Sequence, residues 1–321
     1  MKLNDRFKRN HFLIVGRAGM DLYADPPGTR IEEATQFYAA LGGSAANSAA
    51  AITRLGGKAA LLTCVSDDAI GRFVLAQLQH YGIDGTYVFK TGGEARNSLA
   101  VVETRSDNCQ SVIYRNNAAD FQLTKEQAES ANLEPFGALI ITGTSLAVEP
   151  SRSAVLQVMQ RAKAAGLPLI IDLDYRPYSW ASREEAKRTC VNASHLCDII
   201  IGNDEEFDLL AGAKGGGLAV AKTYGSTAIA IHKMGAEGSI TFTGEKQFET
   251  PVFKVTALKP TGAGDAFLGG FCTSLASGHT LEDSVKRGSA AAAIVVTRVG
   301  CAPACPTIDE LDAFLKDRLA A

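Results

Sequence analysis

The segment best suited to chemistry is KPTGAGDAFLGGF, which begins at residue 259 and runs from a glycine-rich turn into a predicted helix. Gly262, Ala263 and Gly264 carry little or no side chain, so their backbone N–H groups can approach an anion such as a phosphate. The positive end of a helix dipole would favour the same charge. Asp265 follows in the first turn, where it could accept a proton from an attacking hydroxyl. In the alternative interpretation, Asp265 caps the helix and the glycines make a tight turn.

Four other segments place polar residues directly after apolar runs. In an open α/β sheet, ligands bind at the carboxyl ends of the strands, beside helix N-termini. Any one segment could be a solvated loop or a helix cap, but four together favour a common site at one edge of the sheet. These segments are Gly16–Asp21, Asp172–Pro177, Gly202–Glu206 and His232–Gly238.

The elements that must position these residues alternate between short apolar runs and longer helical patterns. Almost continuously apolar runs are typical of strands buried on both faces of a parallel sheet. The alternation predicts a doubly wound, mostly parallel α/β sheet flanked by helices, in one domain over residues 1–321. The predicted strands are His11–Gly16, Ala59–Val65, Ala138–Gly143, Leu169–Asp172, Ile199–Gly202 and Ala228–His232. The predicted helices are Ser44–Leu55, Ala69–Tyr81, Ser151–Ala165, Arg183–Val191, Asp204–Leu210, Gly264–Ser277, Leu281–Thr297 and Ile308–Leu319.

Two stretches interrupt this alternation, one from Asp21 to about Ala40 and the other over Asn97–Arg115. Both have the pattern of half-buried strands and hairpins without helices. We therefore predict a small β-layer, formed by about residues 17–41 and 95–121, that projects from the main sheet. The glycine run Gly215–Gly217 predicts a surface loop.

Composition excludes several classes of protein. The net charge of −3 lacks the basic excess that nucleic-acid binding needs. No apolar stretch has membrane-spanning length, and no secretory signal pattern opens the chain. The seven cysteines are odd in number and form no CxxC pair, which predicts reduced thiols in a cytoplasmic protein. Cys301 and Cys305 could form a metal site or a disulfide, but packing is the expected role.

The glycine-rich segment resembles the C-terminal signature of the PfkB/ribokinase family of carbohydrate kinases. The segment LGGSAAN from Leu41, followed by a helical run and Gly56-Gly57, is similar to the N-terminal signature of that family. The signatures occur in the family order and separation, and the similarity extends from about residue 12 to 310. The phosphate-binding motif GxxxxGK[ST] and a GxGxxG after a strand are both missing. The resemblance implies a ribokinase-like fold and ATP-dependent phosphorylation of a small sugar or sugar acid.

The resemblance also implies roles for individual residues. Asp265 would be the catalytic base, and Gly262, Ala263 and Gly264 would form the anion hole. Asn203 and Glu206 match an NxxE element that positions Mg²⁺ near the phosphates through water. The β-layer would be a lid that closes over the sugar and excludes water. The implied sugar-binding residues are Asp21, Gly42, Gly43 and Asn47, and the implied ATP-binding residues are Lys233, Gly235, Gly238 and Thr261.

One position departs from the family pattern. Many relatives carry an aspartate six positions before the catalytic aspartate, where it helps to bind a monovalent cation, but this chain has Lys259 there. The lysine ammonium could substitute for the cation, or the side chain could point away. We predict weak or absent stimulation by K⁺.

The substrate interpretation rests on Arg115 and Arg176, because arginine reads a carboxylate in a bidentate manner. Each arginine could instead be a surface or salt-bridge residue. Within the family, their surroundings resemble kinases of ketogluconates, which implies phosphorylation of 5-dehydro-2-deoxy-D-gluconate to its 6-phosphate in myo-inositol catabolism. Relatives that act on 2-keto-3-deoxygluconate typically carry asparagine where Asp174 stands. The segments concerned are Gly19–Tyr23, Tyr114–Asp120, Asp172–Trp180 and Leu258–Pro260.

Other functions remain open at this point. A 2-keto-3-deoxygluconate kinase or a neutral-sugar kinase such as a fructokinase or ribokinase would use the same catalytic residues. A catalytically silent sugar-binding relative is the non-enzyme alternative, and a dehydrogenase is the weakest one. The expected partners are a sugar acid and ATP, without nucleic acid or membrane. The exposed side of the β-layer could also be buried against a second copy of the chain.

Overall fold

The computed structural model describes residues 5–319, in which strands and helices alternate as predicted. The strands are β1 His11–Val15, β2 Gly19–Asp25, β3 Gln36–Gly42, β4 Lys58–Ser66, β5 Asp84–Thr91, β6 Leu99–Val102, β7 Ser111–Tyr114, β8 Ala138–Thr142, β9 Leu169–Asp172, β10 Ile199–Asn203, β11 Ile229–Lys233, β12 Ser239–Thr243 and β13 Lys246–Thr250. The helices are α1 Ser44–Arg54, α2 Ala69–His80, α3 Lys125–Ser130, α4 Ser151–Ala164, α5 Arg183–Ser194, α6 Asp204–Ala211, α7 Gly217–Gly225, α8 Ala263–Ala276, α9 Leu281–Val295 and α10 Ile308–Leu319.

The main sheet has nine strands in the order β13-β12-β11-β10-β9-β8-β1-β4-β5. All neighbours from β11 to β5 pair in parallel, whereas β12 and β13 continue the β11 edge as an antiparallel hairpin. Strand order reverses at β1, because the chain continues to β4 on one side and later returns to β8 on the other. A reversal of this kind opens a crevice at the carboxyl ends of the strands.

The central strands are buried along their whole length, and β8 and β9 expose no residue. Successive side chains of these strands point to opposite faces of the sheet. They contribute in alternation to two large apolar clusters, one on each face. Helices α1 and α8 cover one face, and α4 and α5 cover the other. The predicted doubly wound α/β sheet is therefore confirmed.

A second sheet of four strands, in the order β3-β2-β6-β7, projects from the main one. It corresponds to the predicted β-layer. Its base is tied to the main sheet by Asn97, whose amide donates to the Ala18 carbonyl at 2.9 Å and whose Oδ1 accepts from the Ser66 backbone N–H at 2.6 Å. The second sheet is thereby anchored beside the carboxyl ends of β1 and β4.

The structure also contains elements that the sequence did not predict, namely α3, α7, β5 and the β12–β13 hairpin. These elements are short or lie at an edge, so their patterns are weak; β5, for example, has no fully buried residue. The predicted surface loop at Gly215–Gly217 is partly wrong, because buried Gly217 begins α7. All seven cysteines are unpaired, and Cys301 and Cys305 are buried, as expected for packing residues. Within residues 5–319, no helix combines the length and apolarity needed to cross a membrane.

Candidate active site

The N-terminus of α8 lies at the carboxyl edge of the main sheet and presents unused backbone donors there. The first N–H group bonded within the helix is that of Ala266, which donates to the Gly262 carbonyl at 3.1 Å. The preceding N–H groups of the turn have no partner in the helix, as at every helix start. Gly262 adopts a left-handed φ of +83°, and a Cβ there would lie 2.9 Å from the Cys301 Sγ. Only glycine therefore fits the turn that exposes these donors.

Asp265 lies in the first turn of α8, with its carboxyl close to several other acids. Burial raises the pKa of this carboxyl to about 8, and the neighbouring charges of Asp174 and Asp172 act in the same direction. The side chains of Asn47 and Arg176 partly oppose the increase. Asp265 is thus a carboxyl whose proton affinity suits proton transfer near neutral pH.

Asp172, Glu206 and Lys233 form a charged cluster at the ends of β9, β10 and β11. The Lys233 Nζ lies 3.9 Å from an Asp172 oxygen, and a Cβ on Gly264 would lie 3.4 Å from the same Nζ. Burial raises the pKa of Glu206 to about 7, and repulsion by Asp172 contributes to the increase. The lysine ammonium therefore lies near two acids and the glycine-containing turn that begins α8.

Glu206 and Asn203 are joined in a capping box at the start of α6. The Asn203 Oδ1 accepts from the Glu206 N–H at 3.0 Å, and a Glu206 oxygen accepts from the Asn203 N–H at 2.7 Å. The other Glu206 oxygen accepts from the Tyr175 N–H at 3.1 Å. Within residues 5–319, no group of three or more His, Cys, Asp or Glu side chains is arranged to ligate a metal.

These hydrogen bonds determine how many acceptor positions of Glu206 remain available to Mg²⁺ or to its bound waters. Each carboxylate oxygen has two acceptor positions, so Glu206 retains one free position on each oxygen. Mg²⁺ usually keeps several waters, which can donate to such positions. The residues therefore fit a hydrated Mg²⁺ held through water, whereas they do not form a direct ligand cage.

The Asp21 side chain on β2 lies against Gly42 of the neighbouring strand β3, although the residue directly opposite Asp21 is Ala40. A Cβ on Gly42 would lie 1.9 Å from an Asp21 oxygen, so the absence of a side chain at residue 42 makes room for this carboxyl. The Tyr23 hydroxyl donates to the other Asp21 oxygen at 3.0 Å. Burial raises the pKa of Asp21 to about 6. Gly43, the next residue, precedes α1, which carries buried Asn47.

Lys259 is fully buried, and its ammonium contacts backbone carbonyls. The Nζ donates to the Thr261 carbonyl at 2.5 Å and to the Val295 carbonyl at 3.4 Å. Burial lowers the pKa of this ammonium. The lysine thus points inward under the α8 turn, toward oxygens of the kind that bind a monovalent cation.

Arg176 is paired with Asp174 on the loop that follows β9. Its Nη2 lies 2.9 Å from the Asp174 Oδ1, and the Thr144 hydroxyl donates to the other oxygen at 3.0 Å. Asp174 has a left-handed φ of +35°, which is a strained conformation for a residue with a side chain. The Arg176 side chain remains 41% exposed, so it can still contact a ligand.

Arg115 has a different environment from the one that its sequence position suggested. Its guanidinium forms an ion pair with buried Asp120 and lies 4.1 Å above the Phe121 ring. Longer contacts of 3.4 Å join it to the Ser179 hydroxyl and the Thr144 carbonyl. Both terminal nitrogens of Arg115 therefore already contact the protein, whereas its buried Nε has no acceptor within residues 5–319.

Three residues with expected ATP-binding roles lie on two different segments. Thr261 lies in the α8 turn, and its buried hydroxyl has no hydrogen-bond partner in the described part of the chain. Gly235 and Gly238 form the tight connection between β11 and β12, where the Met234 N–H donates to the Gly238 carbonyl at 2.7 Å. Hydrogen bonds between backbone groups of the β11–β12 connection itself therefore fix its conformation.

Arg17 and Asp172 are further charged residues of the site that were not given roles from the sequence. Asp172 ends β9 and is 5% exposed, and Arg17 follows β1 and is 8% exposed. Both lie in the segments that follow apolar runs, so the position after a strand was the signal that could have identified them. Their burial distinguishes them from solvated residues, but it depends on tertiary structure and cannot be inferred from the sequence.

Comparisons with known proteins agree with this geometry. Residues 9–308 match the family described as pfkB family carbohydrate kinase. A curated 5-dehydro-2-deoxygluconokinase from Photobacterium profundum is 39% identical over 313 residues, which cover 95% of each chain.

Two solved structures share the fold. A PfkB protein from Polaromonas sp. JS666 superposes with a TM-score of 0.82 at 27% identity, covering 94% of this chain and 99% of the other. A fructokinase variant from Vibrio cholerae O395, with fructose, ADP and a potassium ion bound, has a TM-score of 0.84 at 26% identity. It covers 95% of this chain and 98% of its own.

Proposed function

Because the chain belongs to the pfkB family of carbohydrate kinases, we propose that it phosphorylates the primary hydroxyl of 5-dehydro-2-deoxy-D-gluconate, using ATP, to give the 6-phosphate. This would be a step of myo-inositol catabolism. The relative from Photobacterium profundum is named for that activity, and its alignment covers 95% of this chain. This similarity supports the choice of substrate. The observation that carries the proposal is the Asp265 carboxyl beside the unused N–H groups of the α8 turn.

In the proposed mechanism, Asp265 accepts the proton of the primary hydroxyl as its oxygen attacks the γ-phosphorus of ATP. The backbone N–H groups of Gly262, Ala263 and Gly264 stabilise the negative charge that develops on the transferring phosphoryl group. Lys233 provides a nearby positive charge, because its Nζ lies close to Gly264. Phosphoryl transfer needs mainly this kind of positioning and charge stabilisation.

The remaining residues would hold the two substrates in place. Asp21 and Asn47 would bind sugar hydroxyls, with Gly42 and Gly43 leaving room for them. Thr261, Gly235 and Gly238 would contact ATP. Asn203 and Glu206 would hold hydrated Mg²⁺, which neutralises phosphate charge when bound.

We propose that the second sheet, with about residues 17–41 and 95–121, acts as a lid over the sugar. The lid and the main sheet belong to a single ribokinase-like domain. Its anchor at Asn97 lies beside the carboxyl ends of β1 and β4, and Asp21 projects from its strand β2. Closure over the sugar would exclude water, which otherwise hydrolyses ATP.

Lys259 would replace the monovalent cation that many relatives bind. Its buried ammonium contacts the Thr261 and Val295 carbonyls, so the positive charge that a cation would bring is already present beneath the α8 turn. We propose on this ground that the enzyme does not depend on K⁺.

The proposal extends to location and assembly. Seven unpaired cysteines are consistent with a reducing compartment, and we propose the cytoplasm. A homodimer through the second sheet is proposed from its exposed apolar residues, which are Phe37, Tyr38, Val112 and Tyr114.

Identification of the reaction product tests the proposed function. The purified chain is incubated with Mg-ATP and 5-dehydro-2-deoxygluconate, and ³¹P NMR follows the products. We expect a phosphate monoester whose signal couples to the two C6 protons, together with ADP. Release of inorganic phosphate alone, or a phosphoryl group at another position, would contradict the proposal.

A further inference from the structure

Three arginines border the site, and they differ in what already occupies their guanidinium groups. Arg115 is ion-paired with Asp120, and Arg176 is ion-paired with Asp174. Arg17 is only 8% exposed, yet within residues 5–319 its side chain has no ion pair and its buried Nε has no acceptor. Arg17 therefore has donors that the protein itself does not use.

The backbone holds Arg17 in this position. Its carbonyl accepts from the Ala46 N–H of α1 at 3.2 Å, and a Cβ on Gly43 would lie 2.4 Å from the same carbonyl oxygen. The residue is thus fixed between the end of β1 and the start of α1. Burial of a charged group without a partner is costly, and a pre-formed ligand site is one reason for a protein to retain it.

The charged groups around Arg17 show which part of the site it faces. Its charge acts on the carboxyls of Asp21 and Asp174 and lowers the pKa of both, against the opposite effect of burial. Neither acid depends on Arg17 for a partner, because Tyr23 donates to Asp21 and Thr144 donates to Asp174. Its backbone contact with Gly43, next to Gly42 and the Asp21 carboxyl, also places Arg17 on the proposed sugar side of the site, with its fork of donors free.

We propose that Arg17 binds the carboxylate of the sugar acid, an inference that rests on the proposed function. A guanidinium is the side chain best suited to a carboxylate, because its planar fork donates two parallel hydrogen bonds. The site also contains Asp21, Asp172, Asp174 and Asp265, which would repel an anionic substrate. An unpaired positive charge beside them offsets that repulsion for an acid and gives no comparable advantage to a neutral sugar.

The test compares an acid with a neutral sugar in variants of Arg17. Steady-state kinetics with 5-dehydro-2-deoxygluconate and with fructose are measured for the parent, Arg17→Gln and Arg17→Lys. Loss of a charge-assisted hydrogen bond predicts a KM for the acid that is about 10–100-fold higher in Arg17→Gln, while kcat changes little. Arg17→Lys keeps the charge but loses the bidentate geometry, so we expect an intermediate KM. Kinetics with fructose should be almost unchanged.

A surface variant and a binding measurement complete the design. Arg188→Gln removes one positive charge from the exposed side of α5 and should match the parent with both sugars. Titration calorimetry without ATP measures affinity for the acid directly, and circular dichroism verifies folding. If Arg17→Gln does not fold, the comparison of Arg17→Lys with the parent decides.

The outcomes separate this inference from the proposed function. If the parent strongly prefers the acid and folded Arg17 variants keep the parental KM and affinity for it, the role of Arg17 is wrong while the function stands. An equal loss for acid and fructose would also contradict a carboxylate-binding role, because it would indicate a general effect on the pocket. If the parent phosphorylates no sugar acid, the proposed function fails and this inference fails with it.

Discussion

At the scale of single residues, the site is a group of carboxyls balanced by a few fixed positive charges. Asp265 is surrounded by Asp172 and Asp174, so it holds its proton more tightly than an exposed aspartate does. The positive charges of Lys233 and Arg176 interact with the Asp265 carboxylate and oppose this increase in its proton affinity. A carboxyl with a perturbed pKa among charged neighbours is a candidate for a general base, and the test is its effect on turnover.

The first prediction concerns the catalytic role of Asp265. Asp265→Asn keeps the size of the side chain but removes the proton acceptor, and we expect kcat to fall by roughly 10²–10⁴-fold, the range for loss of a positioned general base. Asp309→Asn, in the exposed first turn of α10, is the matched control and should retain parental turnover. Near-normal turnover of folded Asp265→Asn would remove Asp265 from the mechanism.

The second prediction concerns stability and pH. The pKa of Asp265 rises from an ordinary 3.8 to about 8 on folding, so the folded protein binds this proton more tightly than the unfolded chain does. The group therefore destabilises the fold increasingly as the pH rises from about 4 to about 8. Asp265→Asn removes the cost, and its Tm relative to the parent should increase across that window. A Tm difference that stays constant with pH would show that the carboxyl is not perturbed.

The third prediction concerns Lys259. Its ammonium already contacts the Thr261 and Val295 carbonyls, so an added monovalent cation has no charge to supply. We expect equal rates in K⁺, Na⁺ and choline chloride at matched ionic strength. Several-fold activation by K⁺ alone would mean that a cation site exists despite the lysine.

At the scale of elements, the position of each functional group depends on where a strand ends or a helix begins. The α8 turn requires glycine at residue 262, and the β2–β3 pair requires the absence of a side chain at residue 42. Both requirements come from close packing, because a Cβ would contact Cys301 in one case and Asp21 in the other. A side chain at residue 262 would also strain the left-handed backbone of the turn, so Gly42 is the position where a small substitution should act mainly on function.

The fourth prediction tests this at Gly42. In Gly42→Ala, the new Cβ would lie 1.9 Å from an Asp21 oxygen, so the carboxyl must move away from the position in which we propose that it binds sugar. We expect the KM for the sugar to rise about tenfold or more, with little change in the KM for ATP. Gly92→Ala is the control, because a Cβ at residue 92 meets no atom within 4 Å. Equal kinetics of the two variants would contradict the role given to Asp21.

How far the sequence predicted these elements depends on burial. The central strands were predicted within a residue or two because they are buried on both faces, and their runs are almost continuously apolar. Edge strand β5 and the β12–β13 hairpin were missed because edge strands mix polar and apolar residues. Burial of the Lys259 ammonium and the pairing of Arg115 with Asp120 depend on tertiary contacts, which local sequence patterns do not contain.

At the scale of the whole molecule, the second sheet projects from the main sheet and leaves part of its surface exposed. Its edge strands β3 and β7 carry exposed aromatic residues, with Tyr38 51% and Tyr114 58% exposed. Exposed edge strands with apolar side chains are surfaces that natural proteins usually cover. This arrangement is the basis for the proposed dimer.

The fifth prediction concerns that dimer. Light scattering coupled to size-exclusion chromatography should give twice the chain mass of 33.8 kDa. Tyr38→Glu places a charge on the exposed face and should shift the protein toward monomer, whereas Tyr178→Glu, at an exposed tyrosine outside the second sheet, should not. A parent that remains monomeric at micromolar concentration would rule out this assembly.

The central claim is that this kinase acts on a ketogluconate acid, and competition between substrates tests it most directly. ADP release with Mg-ATP is measured for 5-dehydro-2-deoxygluconate, 2-keto-3-deoxygluconate, fructose, ribose and adenosine under one set of conditions. The account predicts the highest kcat/KM for 5-dehydro-2-deoxygluconate. A higher value for a neutral sugar would contradict the account: the kinase fold and Asp265 would keep their roles, but the arginines of the site would be structural residues.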